Sequence, residues 1–188
     1  MATEDTAIMG VFEFCKLLGV LKHLDRTGWV RKGVDKPESV AGHMYRMALL
    51  SFLATTDPSI DRNKCIKLSL VHDLGESIVG DITPLDGVSK EEKYKKEKSA
   101  IERISSLLPE SVGNEISQLW EEYEKGETPE SVYVKDLDKF DMIFQAYEYE
   151  TSQNMDLQEF FTSTEDLFRT DQVKSWVEQL KHIRETPK

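Results

Sequence analysis

Apolar residues recur at intervals of three and four along most of the chain, which is the spacing that one face of an α-helix requires. The first such set is Ile8, Val11, Phe12, Cys15 and Leu18, and it predicts a first amphipathic helix. Alternation with a period of two, which would indicate strands, is not convincing in any segment, and there is no internal repeat.

Capping and turn-forming residues divide the rest of the chain into further helices. Gly28, Gly33 and Pro37 predict a loop, and Ser39 is a suitable N-cap for a second helix that runs toward Ala54. The later elements are a helix from about Asp61 toward Glu76, a short helix with loops over 77–88, a helix opened by the capping box Ser89-x-x-Glu92, one starting at Pro109, a long one containing Val134 to Tyr147, and a C-terminal helix over about 170–184. The pattern therefore predicts an all-α fold, with one globular multi-helix domain over 1–188.

The charge balance limits the partners that the chain can have. Lys and Arg number 24 and Asp and Glu number 35, so the net charge of the 188 residues is −11. This excess of acid disfavours polymeric nucleic acid and anionic membranes, which attract clustered Lys and Arg. It does not exclude a small anionic ligand, because a bound cation reverses the local sign of a site. The mixed charges of Glu91 to Lys98 indicate a solvated helix face.

The ends and the cysteines predict a cytoplasmic protein. No apolar run approaches the roughly 20 residues of a membrane span, and the acidic start Met1 to Asp5 lacks the features of a signal peptide. Cys15 and Cys65 each lie among apolar residues at helical spacing, so we expect buried, reduced thiols. A disulfide between them and a catalytic thiol are the alternatives.

One histidine stands directly before an aspartate, and more carboxylates follow. His72 and Asp73 are adjacent, and a continuous helix would place Glu76 on the same face as His72. Asp81 follows Gly80. Imidazole and carboxylate groups together form a mixed nitrogen and oxygen ligand set that suits divalent ions. The sequence therefore predicts a metal site near His72.

Two further residues are candidate ligands, but spacing alone does not join them to this site. His43 lies in the second predicted helix beside Met44 and Met47, and taken alone this pattern favours a hydrogen-bonded core histidine over a ligand. Asp138 lies beside the apolar Leu137, and taken alone this pattern favours a surface carboxylate over a ligand.

The combination His43, then His72-Asp73, then Asp138 resembles the H…HD…D signature of the HD-domain metal-dependent phosphohydrolases. The resemblance is stronger to the 5′-deoxynucleotidase branch, including the HD domain-containing protein 2 group. It covers about residues 10–165. Its specific parts are Trp29 and the pair Gly80-Asp81, and other matching segments are Arg26 to Trp29, Pro37 to Val40, His43 to Ala48, His72 to Ile82, Glu91 to Lys93, Leu107 to Glu110 and Leu119 to Glu124.

The resemblance implies roles for particular residues. It makes His43, His72, Asp73 and Asp138 ligands of a divalent ion, which is Mn²⁺, Co²⁺, Mg²⁺, Fe²⁺ or Zn²⁺. It makes Glu76 and Asp81 the catalytic carboxylates, with Glu76 orienting water and Asp81 near the leaving group. These two and the backbone carbonyl of Ile82 are also candidate ligands for additional ions.

The resemblance also implies residues that contact the substrate. Trp29 matches a residue that in bacterial relatives crowds the 2′ position of the sugar. Those relatives carry an arginine directly before this tryptophan, where this chain has Gly28. Arg26 or Arg31 would then bind the phosphate.

The activity implied is hydrolysis of deoxyribonucleoside 5′-monophosphates to deoxynucleoside and phosphate, by a homodimer. Phe160, Phe161 and Trp176 are candidates for the dimer interface, although aromatic residues of this kind more often belong to a core. Two alternatives stand beside this function. One is another HD phosphohydrolase, acting on cyclic nucleotides or alarmones. The other is a non-catalytic metal-binding HD scaffold, which the presence of both Glu76 and Asp81 disfavours.

Overall fold

A computed structural model describes residues 4–54 and 57–186. It contains ten α-helices within those ranges: α1 (Glu4–Leu21), α2 (Thr27–Arg31), α3 (Val40–Leu50), α4 (Arg62–Val71), α5 (Glu76–Val79), α6 (Lys90–Ser105), α7 (Glu110–Lys125), α8 (Pro129–Gln153), α9 (Gln158–Thr164) and α10 (Asp171–Glu185). Two 3₁₀ turns, Ser51–Leu53 and Pro84–Asp86, follow α3 and α5. No strand occurs in the described ranges, where Asp25 and Ser39 form an isolated bridge. The predicted all-α fold is confirmed. The start at Met1 lies outside the described residues.

The helix starts that capping residues predicted are confirmed. The Ser39 side chain accepts a hydrogen bond from the backbone N–H of Gly42 at the start of α3. Ser89 and Glu92 form the reciprocal capping box of α6, each accepting from the other's backbone N–H. These side chains satisfy N–H groups that have no partner within the helix.

Helix α8 is the centre of the molecule. It packs against α3, α4, α7, α9 and α10. Buried residues occur along its whole length, including Val134, Leu137, Ile143, Ala146 and Tyr149. A helix that is buried on several sides lies in the core rather than on the surface. Helix α8 can therefore carry polar residues into the interior at defined positions.

The face by which α1 packs differs from the apolar set that predicted the helix. Ile8, Val11, Phe12, Cys15 and Leu18 are all exposed, with Phe12 54% accessible. Leu21 instead belongs to the buried core cluster that contains Ile101 and Ile104, and Phe14 and Leu17 are partly buried against that cluster. The expectation that Cys15 is buried is therefore wrong, whereas that for Cys65 is confirmed, and both thiols are free. Periodicity identified the helix but not its buried face, because α1 is apolar on two sides.

Three other local expectations need correction. The predicted loop after Gly28 contains the short helix α2, which buries Trp29. The third predicted helix ends at Val71 rather than near Glu76, so His72 and Glu76 do not share a continuous helix face. The charged face of α6 is not wholly solvated, since Glu97 is buried.

The aromatic residues proposed as interface candidates are largely inside the protein. Phe161 is buried, and Phe160 and Trp176 are partly buried against the same core cluster. Among the described residues, no helix is both long enough and apolar enough to cross a membrane.

Candidate active site

His72 and Asp73 lie immediately after the last residue of α4. The ring nitrogen Nδ1 of His72 is 3.0 Å from the backbone carbonyl oxygen of Ser69. A carbonyl oxygen only accepts, so Nδ1 carries the hydrogen and Nε2 carries a lone pair. Nε2 is 3.2 Å from Asp73 Oδ2. The end of α4 thus presents one imidazole lone pair and one carboxylate side by side.

Helices α3 and α8 bring the other two predicted ligands to the same place. His43 Nε2, from α3, lies 3.2 Å from Asp138 Oδ1 on α8 and 3.8 Å from Asp73 Oδ2. His43, His72 and Asp73 each offer a ligand atom, and these three atoms lie within 4.8 Å of one another. His43 and Asp138, which spacing alone did not join to the pair His72-Asp73, therefore lie beside that pair in the folded protein.

The donor set fits a divalent cation. Nε2 of His43 and Nε2 of His72 are buried and make no hydrogen bond of good geometry to any described residue. Buried polar atoms are nearly always paired, so two such atoms beside two carboxylates indicate a ligand that is not part of the chain. Two imidazoles with two aspartates are a typical set for a transition-metal ion.

The pKa values of the carboxyl groups in the site are shifted in opposite directions. Burial opposes ionisation of Asp73 and Asp138, but contacts with the histidines and with Arg26 outweigh it, so the pKa of each lies below its ordinary value. Burial also raises the pKa of Glu76, and the charges of Asp73 and Asp81 raise it further, well above its ordinary value. Groups whose pKa values are pushed apart in this way are suited to acid and base roles.

The pKa of His43 lies above its ordinary value although the side chain is buried. Burial and the charge of Arg26 lower this pKa, but the nearby carboxylates of Asp138 and Asp141 outweigh them and raise it to about 9. The two carboxylates beside His43 therefore favour positive charge at this position.

Asp81 is held in place by the start of α2. Gly80 ends α5 with a φ of 78°, a conformation that glycine adopts at little cost. The next residue, Asp81, accepts a hydrogen bond on Oδ2 from the backbone N–H of Thr27 at 2.6 Å. The Thr27 hydroxyl donates in turn to the backbone carbonyl of Asp81 at 2.9 Å. The glycine turn and these two bonds fix the carboxylate at the wall of a cavity.

That cavity has a volume of about 520 Å³ and contains almost all of the predicted site. Its lining includes Arg26, Trp29, Arg31, Asp73, Glu76, Asp81, Ile82, Lys93, Asp138, Met142 and Phe160. His43 and His72 are absent from the lining because both are buried, and each contacts a lining aspartate.

The two candidate arginines occupy different parts of the cavity. Arg26 Nη1 is 3.4 Å from Asp73 Oδ2, beside the predicted ligands. Arg31 donates to the Thr83 hydroxyl at 2.9 Å and pairs with Asp86, in the 3₁₀ turn beyond Asp81. Only Arg26 therefore reaches the centre of the site in this conformation.

Trp29 lies in the wall but has little free surface. Its side chain is 1% exposed, and Nε1 donates to Glu38 Oε1 at 3.1 Å. The Phe160 ring covers it, with centroids 4.4 Å apart. A Cβ placed on Gly28 would contact Phe160 at 3.7 Å, so Phe160 also lies beside Gly28.

Several site residues were missed by reasoning from the sequence. Tyr123 donates to Asp138 Oδ2 at 2.8 Å and its ring lies against His72. Lys93 and Phe160 line the cavity, and Asp141 contacts His43. No local motif marks these residues, since each reaches the site through helix packing. The segment Leu119 to Glu124, which carries Tyr123, was noted only as part of a resemblance.

Comparison with known proteins identifies the class. The model of the HD domain family matches residues 18–179. The 5′-deoxynucleotidase HDDC2 of Dictyostelium discoideum is 50% identical over 184 residues, covering 92% of this chain and 97% of that protein. The protein of the same name from Xenopus laevis is 46% identical over 176 residues, covering 93% and 87%. A solved structure of a conserved hypothetical protein from Pyrococcus furiosus superposes with a TM-score of 0.76 at 36% identity, covering 93% of this chain and 99% of that one.

The chain therefore belongs to the HD domain family. Its site has the nitrogen and oxygen donors that a divalent metal ion requires.

Proposed function

We propose that the protein is a divalent-metal-dependent 5′-deoxynucleotidase, which hydrolyses deoxyribonucleoside 5′-monophosphates to deoxynucleoside and phosphate. The observation that carries the proposal is a cavity lined by Asp73, Asp138, Glu76 and Asp81, in which the first two carboxylates contact the buried histidines His72 and His43. The names of relatives that share 43–50% of their aligned residues with this chain support the substrate class.

The metal would be held by His43, His72, Asp73 and Asp138. When bound, a divalent ion supplies an activated water and offsets charge on the phosphoryl oxygens. The donor set is compatible with Mn²⁺, Fe²⁺, Co²⁺, Zn²⁺ and Mg²⁺, and elemental analysis of the purified protein identifies the native ion. Additional ions would use Glu76, Asp81 and the carbonyl of Ile82, and the same analysis gives their number per chain.

Arg26 is our candidate for binding the phosphate of the substrate. Its guanidinium lies beside Asp73, and four carboxylates surround it, so its charge is kept at any working pH. A guanidinium binds phosphate with two parallel hydrogen bonds. Arg31 already binds the side chains of Thr83 and Asp86, so it would instead stabilise the loop after Asp81 that lines the cavity.

Glu76 and Asp81 would act as the general acid and base groups of the reaction. Burial and the charges of Asp73 and Asp81 raise the pKa of Glu76 well above its ordinary value, so this carboxyl binds a proton more tightly than an exposed glutamate and is our candidate for orienting a water and exchanging a proton with it. Asp81, fixed by Thr27, faces the cavity where the 5′ oxygen of the leaving nucleoside would lie. Trp29 and Phe160 would form the wall against the sugar or the base.

Phosphate release from purified protein tests this function. The panel contains dAMP, dGMP, dCMP, dTMP and dUMP with the matching ribonucleotides, in Mn²⁺, Co²⁺ or Mg²⁺. We expect release from the deoxynucleotides, none after chelation, and a loss of at least about 100-fold in kcat for Asp73→Ala, which removes a ligand. The exposed Asp166, between α9 and α10, provides the control variant Asp166→Ala, which retains activity.

Two outcomes contradict the proposal. Absence of phosphate release with every metal and nucleotide excludes a nucleotidase. Conversion of a cyclic nucleotide or an alarmone to a monophosphate, without further hydrolysis, identifies a different HD phosphohydrolase.

We also propose that the enzyme is a homodimer. The exposed apolar residues of α1 support this, since a contiguous apolar surface on a folded protein is typical of an interface, and a two-fold axis would pair it with itself. Light scattering with size-exclusion chromatography measures the mass, and Phe12→Glu should shift a dimer toward the monomer.

The proposed location is the cytoplasm. The exposed, unpaired thiol of Cys15 is compatible with a reducing compartment. Cell fractionation with an antibody against the protein checks this.

A further inference from the structure

Helices α3 and α8 face each other with two pairs of side chains. His43 and Arg46 lie three residues apart on α3, and Asp138 and Asp141 lie three residues apart on α8. Residues at this spacing project from the same side of a helix. His43 therefore contacts both aspartates, Asp138 through Nε2 and Asp141 through Nδ1.

The contact with Asp141 is short and fully enclosed. His43 Nδ1 lies 2.6 Å from Asp141 Oδ2, and both side chains are 0% exposed. The other carboxylate oxygen, Oδ1, accepts from Nε of Arg46. An ionised carboxylate only accepts, so the hydrogen of His43 is placed on Nδ1 and Nε2 is directed toward Asp138 and Asp73.

Arg46 has hydrogen-bond partners besides Asp141. Asp141 is therefore not needed solely to neutralise or hold Arg46. The guanidinium also donates to Gln145 at 2.6 Å and to Glu148 at 2.8 Å. These contacts hold Arg46 next to α8 without Asp141. In contrast, Asp141 is the acceptor that reaches Nδ1 of His43 among the described residues.

We propose that Asp141 is a positioning residue that orients the imidazole of His43 toward the metal ion, with Arg46 holding the Asp141 carboxylate in place. Metal-bound histidines commonly donate their second N–H to a carboxylate, which fixes the tautomer and strengthens the ligand. His72 uses the backbone carbonyl of Ser69 for the same purpose. The inference rests on the metal site of the proposed function and adds a residue that contacts neither metal nor substrate.

A matched pair of variants on α8 tests it. Asp136 is also 0% exposed, but its Oδ2 accepts from the backbone N–H groups of Arg169 and Thr170, away from the site. Asp141→Asn and Asp136→Asn thus each neutralise one buried carboxylate of the same helix. Metal-stripped proteins are titrated with Co²⁺ by calorimetry, and the visible spectrum of bound Co²⁺ is recorded. Circular dichroism verifies that the variants are folded.

We expect Asp141→Asn to weaken Co²⁺ binding by about 10- to 100-fold and to change the Co²⁺ spectrum. Asp136→Asn should keep the wild-type affinity and spectrum, whatever it does to stability. Wild-type affinity in folded Asp141→Asn, or an equal loss in Asp136→Asn, overturns the inference.

A measurement on the wild-type protein covers the case in which Asp141→Asn does not fold. NMR of the ¹⁵N-labelled, Zn²⁺-loaded protein reports which ring nitrogen of His43 carries hydrogen, and we expect Nδ1. Hydrogen on Nε2, or failure of the wild type to bind either metal, overturns the inference. Neither readout uses a nucleotide, so a protein that binds Co²⁺ as expected but releases no phosphate contradicts only the proposed function.

Discussion

At the scale of single residues, the two histidines of the site differ in whether their contacts are local or join distant parts of the chain. Adjacency in sequence makes His72 and Asp73 recognisable as a pair, and the bond from His72 to Ser69 is local because both residues lie at the end of α4. His43 is different, since its contacts with Asp138 and Asp141 join distant parts of the chain. A sequence pattern alone therefore predicted the first ligand pair but left the role of His43 open.

The buried carboxyl of Glu97 makes the stability of the protein depend on pH. Burial raises its pKa to about 7, partly opposed by Lys93, whose Nζ lies 3.5 Å away. A raised pKa means that the folded protein binds the proton more tightly than the unfolded chain. The stability gained from this proton is complete below about pH 4.5 and is lost as pH rises to about 7.

Glu97→Gln should therefore flatten the dependence of Tm on pH between 4.5 and 7, and should be more stable than wild type at pH 8. Each unit of pKa difference corresponds to about 1.4 kcal/mol in the free energy of unfolding. Thermal unfolding across this pH range measures the effect. Glu102→Gln, an exposed change on the same helix, is the control, and identical pH profiles for wild type and Glu97→Gln would contradict the prediction.

At the scale of elements, the close approach of α6 and α7 depends on a glycine. A Cβ at Gly113 would lie 2.5 Å from the backbone oxygen of Ser105, so the two helices would have to separate. We expect Gly113→Ala to destabilise the protein by about 1–3 kcal/mol, as other overpacked contacts do. Denaturant unfolding measures this change.

The matched control is Gly19→Ala in α1, where a Cβ would meet no atom within 4 Å. Alanine is the better helix former, so this variant should gain up to about 1 kcal/mol. Equal effects of the two substitutions would show that helix propensity, not the contact with Ser105, determines the result.

Among the helices, the sequence pattern predicted some boundaries and not others. The caps at Ser39 and Ser89 are local hydrogen bonds, and they marked two helix starts correctly. The end of α4 and the short helix α2 were missed, because tertiary contacts around His72 and Trp29 decide them. The buried face of α1 was also missed, because apolar residues lie on both sides of that helix.

At the scale of the molecule, the metal site connects three parts of the fold. His43 comes from α3, His72 and Asp73 follow α4, and Asp138 comes from α8. An ion that binds the folded but not the unfolded chain stabilises it by about 2.7 kcal/mol at 100 times its Kd. For a chain of this size, each kcal/mol corresponds to roughly 2–4 °C in Tm.

Removal of metal by a chelator should therefore lower Tm by about 5–10 °C, and readdition of a divalent ion should restore it. Differential scanning calorimetry makes the measurement. The Asp73→Ala variant should show little response to chelator or metal. A Tm that is unchanged by chelation of a metal-loaded wild type would contradict the prediction.

The sequence by itself determined the helical class, several helix starts and the adjacent pair His72-Asp73, because these depend on interactions between residues close together in the chain. The resemblance to a family added His43 and Asp138 without a physical link between them. The tertiary structure alone decided that α3 and α8 bring His43, Asp138 and Asp141 together, that Arg26 rather than Arg31 reaches the ligands, and that Phe160 covers Trp29. The reason is that burial and the pairing of distant charges arise only when helices pack, and no local pattern records which faces will meet.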